Sequence, residues 1–304
     1  MTKKSFLQEL NRQKISYIFI AAPFILFIIF VIGPTIASFI LSFTKYNVIQ
    51  PAEFVGLSNY KEILLEDTRF LKAIKNTAYY VFGAVPFGIA LALVLAVAID
   101  QRIKFKSFFK SVLFLPTVTS IVASSVMWRW LFAGEKYGLI NYFIVIKLGL
   151  KPIDWLMSPT WTLPAIIIMS IWAGLGYNVI LFLAGLQTIP HAMYEAAEVD
   201  GAGYWHKFFK ITIPLLKPTI VFVTIMSVIV SLQVFEQIYL MTGGGGGQLG
   251  GVLDSALTAV PYLFDKGFNK FQMGYASALA YILFFIILAI TFINIKFIKS
   301  KVEY

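Results

Sequence analysis

The sequence predicts an all-α, polytopic membrane protein with six membrane-crossing helices. Three observations carry this. The 304 residues are 59% hydrophobic and 13% charged, more apolar surface than a soluble domain of this size can bury. The apolar residues gather into six runs long enough to cross hydrocarbon, which takes about 20 helical residues. Lys and Arg then concentrate on one side of the alternating loops. The net charge of +10 would point to nucleic acid in a soluble chain; here it marks loops that face the cytoplasm and anionic lipid. With no cysteine in the chain, disulfides, thiolate chemistry and iron–sulfur clusters are excluded.

The runs are Tyr17–Phe43, Thr77–Ile99, Phe108–Phe132, Leu163–Leu186, Thr219–Met241 and Met273–Phe297. The first follows Lys3, Lys4, Arg12 and Lys14 and is too long for a signal-peptide core, so it is expected to be retained. The basic bias is sharpest in the short turn Arg102, Lys104, Lys106 and continues at Lys296, Lys299 and Lys301. It places both termini and the long loop 187–218 in the cytoplasm. Residues 1–16 are then a cytoplasmic N-terminus, 17–299 the membrane domain and 300–304 a cytoplasmic tail.

In span 1, Pro23, Gly33 and Pro34 predict a kink. The external loop after it holds a short amphipathic helix, bracketed by Gly56–Tyr60 and Phe70–Thr77. Span 2 carries Ala84, Gly88, Ala92 and Ala96 four residues apart, a stripe that lets another helix approach closely. In span 3, Pro116 is followed by Thr117, Thr119, Ser120, Ser124 and Ser125, whose hydroxyls can satisfy backbone groups that the proline frees. That run ends at Trp128-Arg-Trp130, read as an interfacial belt with Arg129 snorkelling to the outer headgroups, a place in a translocation path being the other reading. The second external loop, 134–162, offers Tyr137, Tyr142, Trp155 and Trp161 as interface anchors or as an outer docking face.

Span 4 is expected to be interrupted at Trp172-Ala-Gly-Leu-Gly-Tyr177-Asn178. Two glycines lower helix stability, and a polar break at mid-depth is where transporter sites lie. Trp172, Tyr177 and Asn178 suit a sugar, by stacking and by amide hydrogen bonds; plain packing around glycine is the alternative. Near the end of span 5, Gln233, Glu236 and Gln237 form a polar patch that can face a substrate or simply water. The glycine run Gly243–Gly247 is not a phosphate cradle, since no Gly-Lys-Ser/Thr follows it. Span 6 opens on a small-residue face, Gly274–Ala280.

Between spans 4 and 5, the loop 187–218 reads as two short helices. The first runs from Leu186 to Asp200, with Thr188 as N-cap and Pro190 in the first turn, and Gly201 stops it in a left-handed turn. The second carries Trp205, Phe208, Phe209 and Thr212 on one stripe and ends at Pro214. Such a pair either docks in a partner's groove or lies on the headgroups.

Glu195-Ala196-Ala197, then Asp200-Gly201-Ala202, then Ile211 and Pro214, resemble the EAA motif of the inner-membrane permease subunits of binding-protein-dependent ABC importers. Gly56–Tyr60 with Phe70, Ala73, Asn76 and Thr77 resembles the sugar branch, which includes the larger maltose-permease subunit. So does Leu115-Pro116 with Trp128, Trp130, Phe132 and Gly138–Asn141. The stretch Phe235–Gly245 resembles the branch too, with Glu236 where Asp is usual and glycine where proline is usual. The resemblance implies the type I importer permease fold and a bacterial inner-membrane location. It also implies a second, similar permease, two ATP-binding subunits and an extracytoplasmic sugar-binding protein. ATP and Mg would be bound by the partner ATPase and no cofactor by this chain. Glu195, Ala196, Ala197, Asp200, Gly201, Ala202, Ile211 and Pro214 would couple the chain to the ATPase. Glycerol phosphate is the alternative cargo to a di- or oligosaccharide within the same branch.

Two other classes are weaker. An ion-driven secondary carrier needs midplane carboxylates or a histidine relay, yet the runs hold only Arg129 and Glu236, and His191 and His206 both lie in the 187–218 loop. A membrane enzyme needs paired acids, a metal set or an activated nucleophile, and the spans carry no such set.

Overall fold

The computed structural model describes residues 14–101, 104–134, 137–243 and 248–299. Lys3, Lys4, Arg12, Arg102, the glycines at 244–247 and the tail 300–304, on which expectations were placed above, lie outside the described residues.

Five helices are long and apolar enough to cross a membrane, or six if one bent pair counts as a span. Helix α1 is Lys14–Leu41, with a π-turn at Ile28–Ile32 between Pro23 and Pro34. A two-residue hairpin follows, β1 (Thr44–Lys45) antiparallel to β2 (Glu53–Phe54), then α2 (Ser58–Leu65). Helix α3 (Thr68–Asp100) starts on Asp67, whose carboxylate caps the Phe70 N–H at 2.9 Å. Phe70–Thr77 are therefore the first turns of a membrane helix, and the preceding short helix ends at Leu65.

The third predicted span is not one straight helix. Helices α4 (Lys106–Val118) and α5 (Ile121–Leu131) meet at 98°. Thr119 and Ser120 are both extended (ψ 136° and 132°), which ends one ladder and begins another in a new direction. The Thr119 hydroxyl donates to Leu115 O at 2.8 Å, as expected after Pro116. Ser124 and Ser125 do not act this way; both hydroxyls are buried without a partner.

Beyond the short α6 (Leu139–Tyr142), α7 (Thr162–Gln187) is continuous helix through both glycines, which overturns the expected interruption. Gly176 is a site of close approach instead: a Cβ there would lie 2.9 Å from Phe114 Cα and 2.6 Å from Thr117 Oγ1. Helix α8 is His191–Val199 and α9 is Tyr204–Leu232. The shorter α10 (Glu236–Ile238) and α11 (Ala259–Phe264) precede α12 (Met273–Lys299).

The chain divides into two compact units. The first takes residues up to 66 and 266–282. There Asn59 Nδ2 donates to Ser42 O and Thr44 O at 2.9 and 3.0 Å, and the Tyr281 hydroxyl donates to Thr35 O at 2.6 Å. Gly274 packs on the Thr44 carbonyl, so the small residue opening α12 serves a backbone contact. Helix α1 buries no side chain from Lys14 to Leu41 within this chain, leaving it to lipid or another subunit.

The second unit holds α3 to α11. Helices α3 and α7 are its centre, with α4 and α9 packed beside them. The stripe Ala84, Gly88, Ala92, Ala96 is buried, as its spacing predicts. Ala92 and Ala96 face Leu175, Val179, Phe182 and Leu186 of α7 with Leu216 and Val223 of α9. Trp155 is buried in the other core cluster with Phe132 and Leu163, so it is neither an anchor nor a docking aromatic. Its indole N–H donates to Asn141 Oδ1 at 3.2 Å. Asn141, fully buried, also donates to Ala133 O and Ile153 O and thereby stitches the second external loop.

Candidate functional site

Two regions of the second unit carry the residues singled out above: a cavity at mid-helix and the exposed pair α8–α9.

The cavity, of about 640 Å³, is bounded by α3, α7, the second half of α9 and the segment after it. Tyr80, Ala84 and Gly88 stand one turn apart on α3; Ser170, Gly174, Tyr177 and Asn178 come from α7; Ser227 and Ser231 come from α9. All lie far from the ends of their helices. Gln233, Glu236 and Gln237 also face the cavity, though not along one helix as expected. Helix α9 stops at Leu232, and residues 233–235 leave the helical path before α10. The break is tolerated because its backbone is satisfied locally. The Gln233 and Val234 N–H groups bond Val230 O and Ser231 O, and Val234 O accepts from the Thr258 hydroxyl at 3.3 Å.

Five of the six residues expected on a substrate path thus line one cavity. Trp172 is the exception: its ring packs edge-on to Trp128 at 5.7 Å. Tyr80, Ser170, Ser227 and Ser231 complete the wall and were not singled out from the sequence. Their signal is a four-residue recurrence of polar groups in apolar helices, Ser227 with Ser231 above all. Hydroxyls and primary amides both donate and accept, so this wall suits a ligand with many hydroxyl groups. Arg129 is elsewhere, beside Asp154 and Trp155 in a separate hollow of about 540 Å³, with Nη1 3.5 Å from Leu240 O. Trp128 packs inward on Phe132 instead of joining a belt; Trp130 is exposed.

The exposed pair departs from its predicted limits at both ends. Helix α7 runs to Gln187, where the Thr188 hydroxyl donates to Gly185 O at 2.7 Å, a C-terminal role; Pro190 is the N-cap of α8. The stop at Gly201 is as expected. Its φ of +74° is left-handed, with Gly201 N bonded to Glu198 O and Ala202 N to Ala197 O, the two bonds of a Schellman motif. Pro214 does not end the second helix. A π-turn at Phe208–Thr212, with Ile213 N–H bonded to Phe208 O, absorbs the proline, and α9 continues to Leu232.

Ala196, Ala197, Asp200, Gly201, Ala202 and Ile211 line a shallow hollow of about 510 Å³, with Met193 and His206. Glu195 and Pro214 are exposed outside it. Two bonds that the sequence did not point to clasp the pair. Lys207 Nζ meets Glu198 Oε1 at 2.8 Å, and the hydroxyls of Tyr194 and Thr212 lie 3.0 Å apart.

Lys207 holds the Glu198 carboxyl below the usual carboxylate range, by hydrogen bond first and by charge second. A depressed folded value means that this clasp is fully formed above the ordinary carboxylate range and is lost as pH falls through the lowered value. Lys207→Gln is expected to return the Glu198 titration to the ordinary range, read by carboxyl-carbon NMR of the chain in nanodiscs. An unmoved midpoint would show that the pair does not form in solution.

Residues 68–300 match the family described as binding-protein-dependent transport system inner membrane component. Among curated proteins, a probable ABC transporter permease protein of Bacillus subtilis (strain 168) is 38% identical over 95% of this chain and 91% of its own length. The arabinooligosaccharides transport system permease protein of the same organism is 36% identical, over 94% of this chain and 89% of its own. The lactose transport system permease protein of Rhizobium radiobacter is 33% identical, over 91% and 92%. Among solved structures, a chain of a bacterial alginate ABC transporter, in complex with a periplasmic protein bound to alginate pentasaccharide, superposes with a TM-score of 0.82. It is 25% identical and covers 94% of either chain.

Proposed function

The chain belongs to the family of binding-protein-dependent transport system inner membrane components, and from that premise we propose that it forms half of the pathway of an ATP-driven importer for a di- or oligosaccharide. It is a multi-pass permease subunit of the sugar-transporting ABC importers. The finer reading assigns substrate contact to the mid-helix cavity and ATPase contact to the 187–218 element. The relatives named for arabinooligosaccharides, lactose and trehalose/maltose support the cargo.

One observation carries the coupling: α9 is unbroken from the exposed element to the cavity wall. Trp205 to Val230 along it is roughly 40 Å at 1.5 Å per residue. Helix α7 makes the same connection from the other side, through the short turn at Thr188–Pro190 into α8. A displacement of the pair is therefore carried into both helices that hold Tyr177, Asn178 and Ser231. With the pair and both termini in the cytoplasm, closure of two ATP-binding subunits pushes it as a lever. The cavity then exchanges its inward opening for an outward one, where an extracytoplasmic sugar-binding protein delivers the cargo. Hydrolysis resets it. A second, similar permease supplies the facing half. ATP and Mg bind to the ATPase, and this chain does no bond chemistry. The alginate transporter's complex with a periplasmic protein supports the delivery step.

Gentle detergent purification of the tagged chain, with mass spectrometry of what accompanies it, tests the reading. A Walker-motif ATPase and a second six-helix permease are expected. A chain that purifies alone and stable would overturn it, and ion-gradient transport would then be the assay for a secondary carrier.

A further inference from the structure

The cavity wall has a sign. Among the described residues that line it, Glu236 supplies the one carboxylate, and there is no lysine, arginine or histidine. The remaining polar wall is neutral: Tyr80, Ser170, Tyr177, Asn178, Gln233 and Gln237. Glu236 is exposed to the cavity, and among the described residues no hydrogen bond or ion pair engages it. Arg129, the nearest candidate cation from the sequence, lines the separate hollow. The Arg69 guanidinium is committed to Asp254 and Asp265 at 2.8 and 3.0 Å.

Resting on the sugar-importer reading, we infer that Glu236 makes this half of the pathway selective for uncharged, polyhydroxylic cargo and excludes carboxylated, sulfonated or phosphorylated sugars. A carboxylate accepts hydrogen bonds from two or more hydroxyls at once, which a neutral sugar offers and an anionic group does not. An anionic cargo brought beside it meets a like charge in a cavity whose apolar lining weakens screening. No cationic side chain in the wall offsets that repulsion. Glu236 holds its place because α9 breaks at Gln233, so the carboxylate points from a short turn instead of being fixed within a lipid-facing helix. Glycerol phosphate, compatible with the sequence alone, is disfavoured on this ground.

The assembled transporter in nanodiscs, without its soluble sugar-binding protein, reports on the membrane pathway alone. Saturation-transfer NMR would be recorded with arabinotriose, maltotriose and lactose as neutral probes, and with trigalacturonate and glycerol 3-phosphate as anionic ones. The wild type should bind at least one neutral probe at least about tenfold more tightly than either anionic probe. Glu236→Gln should narrow that ratio by about the same factor, and Asn178→Asp, which adds a second carboxylate, should widen it. Anionic probes that bind the wild type as well as neutral ones, or a ratio that Glu236→Gln leaves unchanged, would overturn the inference while leaving the sugar reading intact. No transfer to any probe would count against the sugar reading itself, and the inference falls with it.

Discussion

Gly176→Ala is expected not to accumulate as a folded chain, whereas Gly174→Ala accumulates like the parent. The two glycines stand two residues apart on α7, on different faces. A Cβ at Gly174 meets nothing within 4 Å, since that face looks into the cavity. A Cβ at Gly176 runs into helix α4: the Leu113 carbonyl is closer than any real contact allows, and Phe114 Cα is 2.9 Å away. Two of the three atoms it meets are backbone, so no rotamer change relieves the overlap, and α4 must move away. Overpacking of this kind costs about 1–3 kcal/mol and more where backbone must shift. In lipid the loss is compounded, because close van der Waals contact is itself a main source of helix association. Fluorescence-detected size exclusion of detergent extracts reads both variants. A monodisperse Gly176→Ala peak at parental height would show that α4 does not sit against α7 as described.

That pair of glycines also marks what the sequence could and could not disclose. Two glycines in an apolar run are compatible with a broken helix and with a close crossing, and only the position of α4 decides between them. The membrane runs themselves were legible because hydrocarbon thickness fixes their length. The stripe from Ala84 to Ala96 was legible because small residues at a four-residue spacing have few other uses in lipid. The 98° turn at Thr119–Ser120 was not. Neither residue is a helix breaker by type, and Pro116 upstream sits inside α4 without ending it. Pro214 misled in the opposite direction. The rule that proline ends a helix assumes that water can satisfy the freed carbonyls, whereas a chain entering the membrane gains by continuing, with one π-turn as the adjustment.

The same limits apply to the sites. Gln233, Glu236 and Gln237 were legible as a polar patch near a span's end, but the grouping was attributed to a helix face that does not exist there. What gathers them is a break whose stability depends on Thr258, 24 residues further on. Tyr80 and Asn178 come to one cavity from helices that nothing local relates. Trp172 was included because aromatic rings stack on sugars, but that property says nothing about direction, and its ring turns to Trp128. The 187–218 element was the most legible part, since its signals are local: a glycine that must turn left-handed, and helix stripes within a few residues.

Gly201→Val is expected to leave a folded, membrane-inserted chain that transports poorly. The residue sits at φ +74°, where a β-branched side chain is a strong outlier and an L-residue is strained by about 1–2 kcal/mol. A Cβ there would touch nothing within 4 Å, so the penalty is local strain with no clash in the core. The strain is relieved by unwinding the last turn of α8, which gives up the bonds Gly201 N to Glu198 O and Ala202 N to Ala197 O. Ala197, Ala202 and Asp200 then no longer share one hollow with Ile211. A cost of that size lowers the population of the docked geometry by about 5–30-fold, and uptake should fall by a similar factor at unchanged membrane abundance. Gly201→Asn separates the causes. Asparagine tolerates the left-handed region, so it should keep most of the activity although it adds a larger polar side chain to the same exposed point. If asparagine and valine impair uptake equally, the side chain itself obstructs the partner, and the left-handed turn is not what sets the geometry. If valine transports at the parental rate, the rigid-lever account of α8 and α9 fails, and coupling must run through another part of the chain.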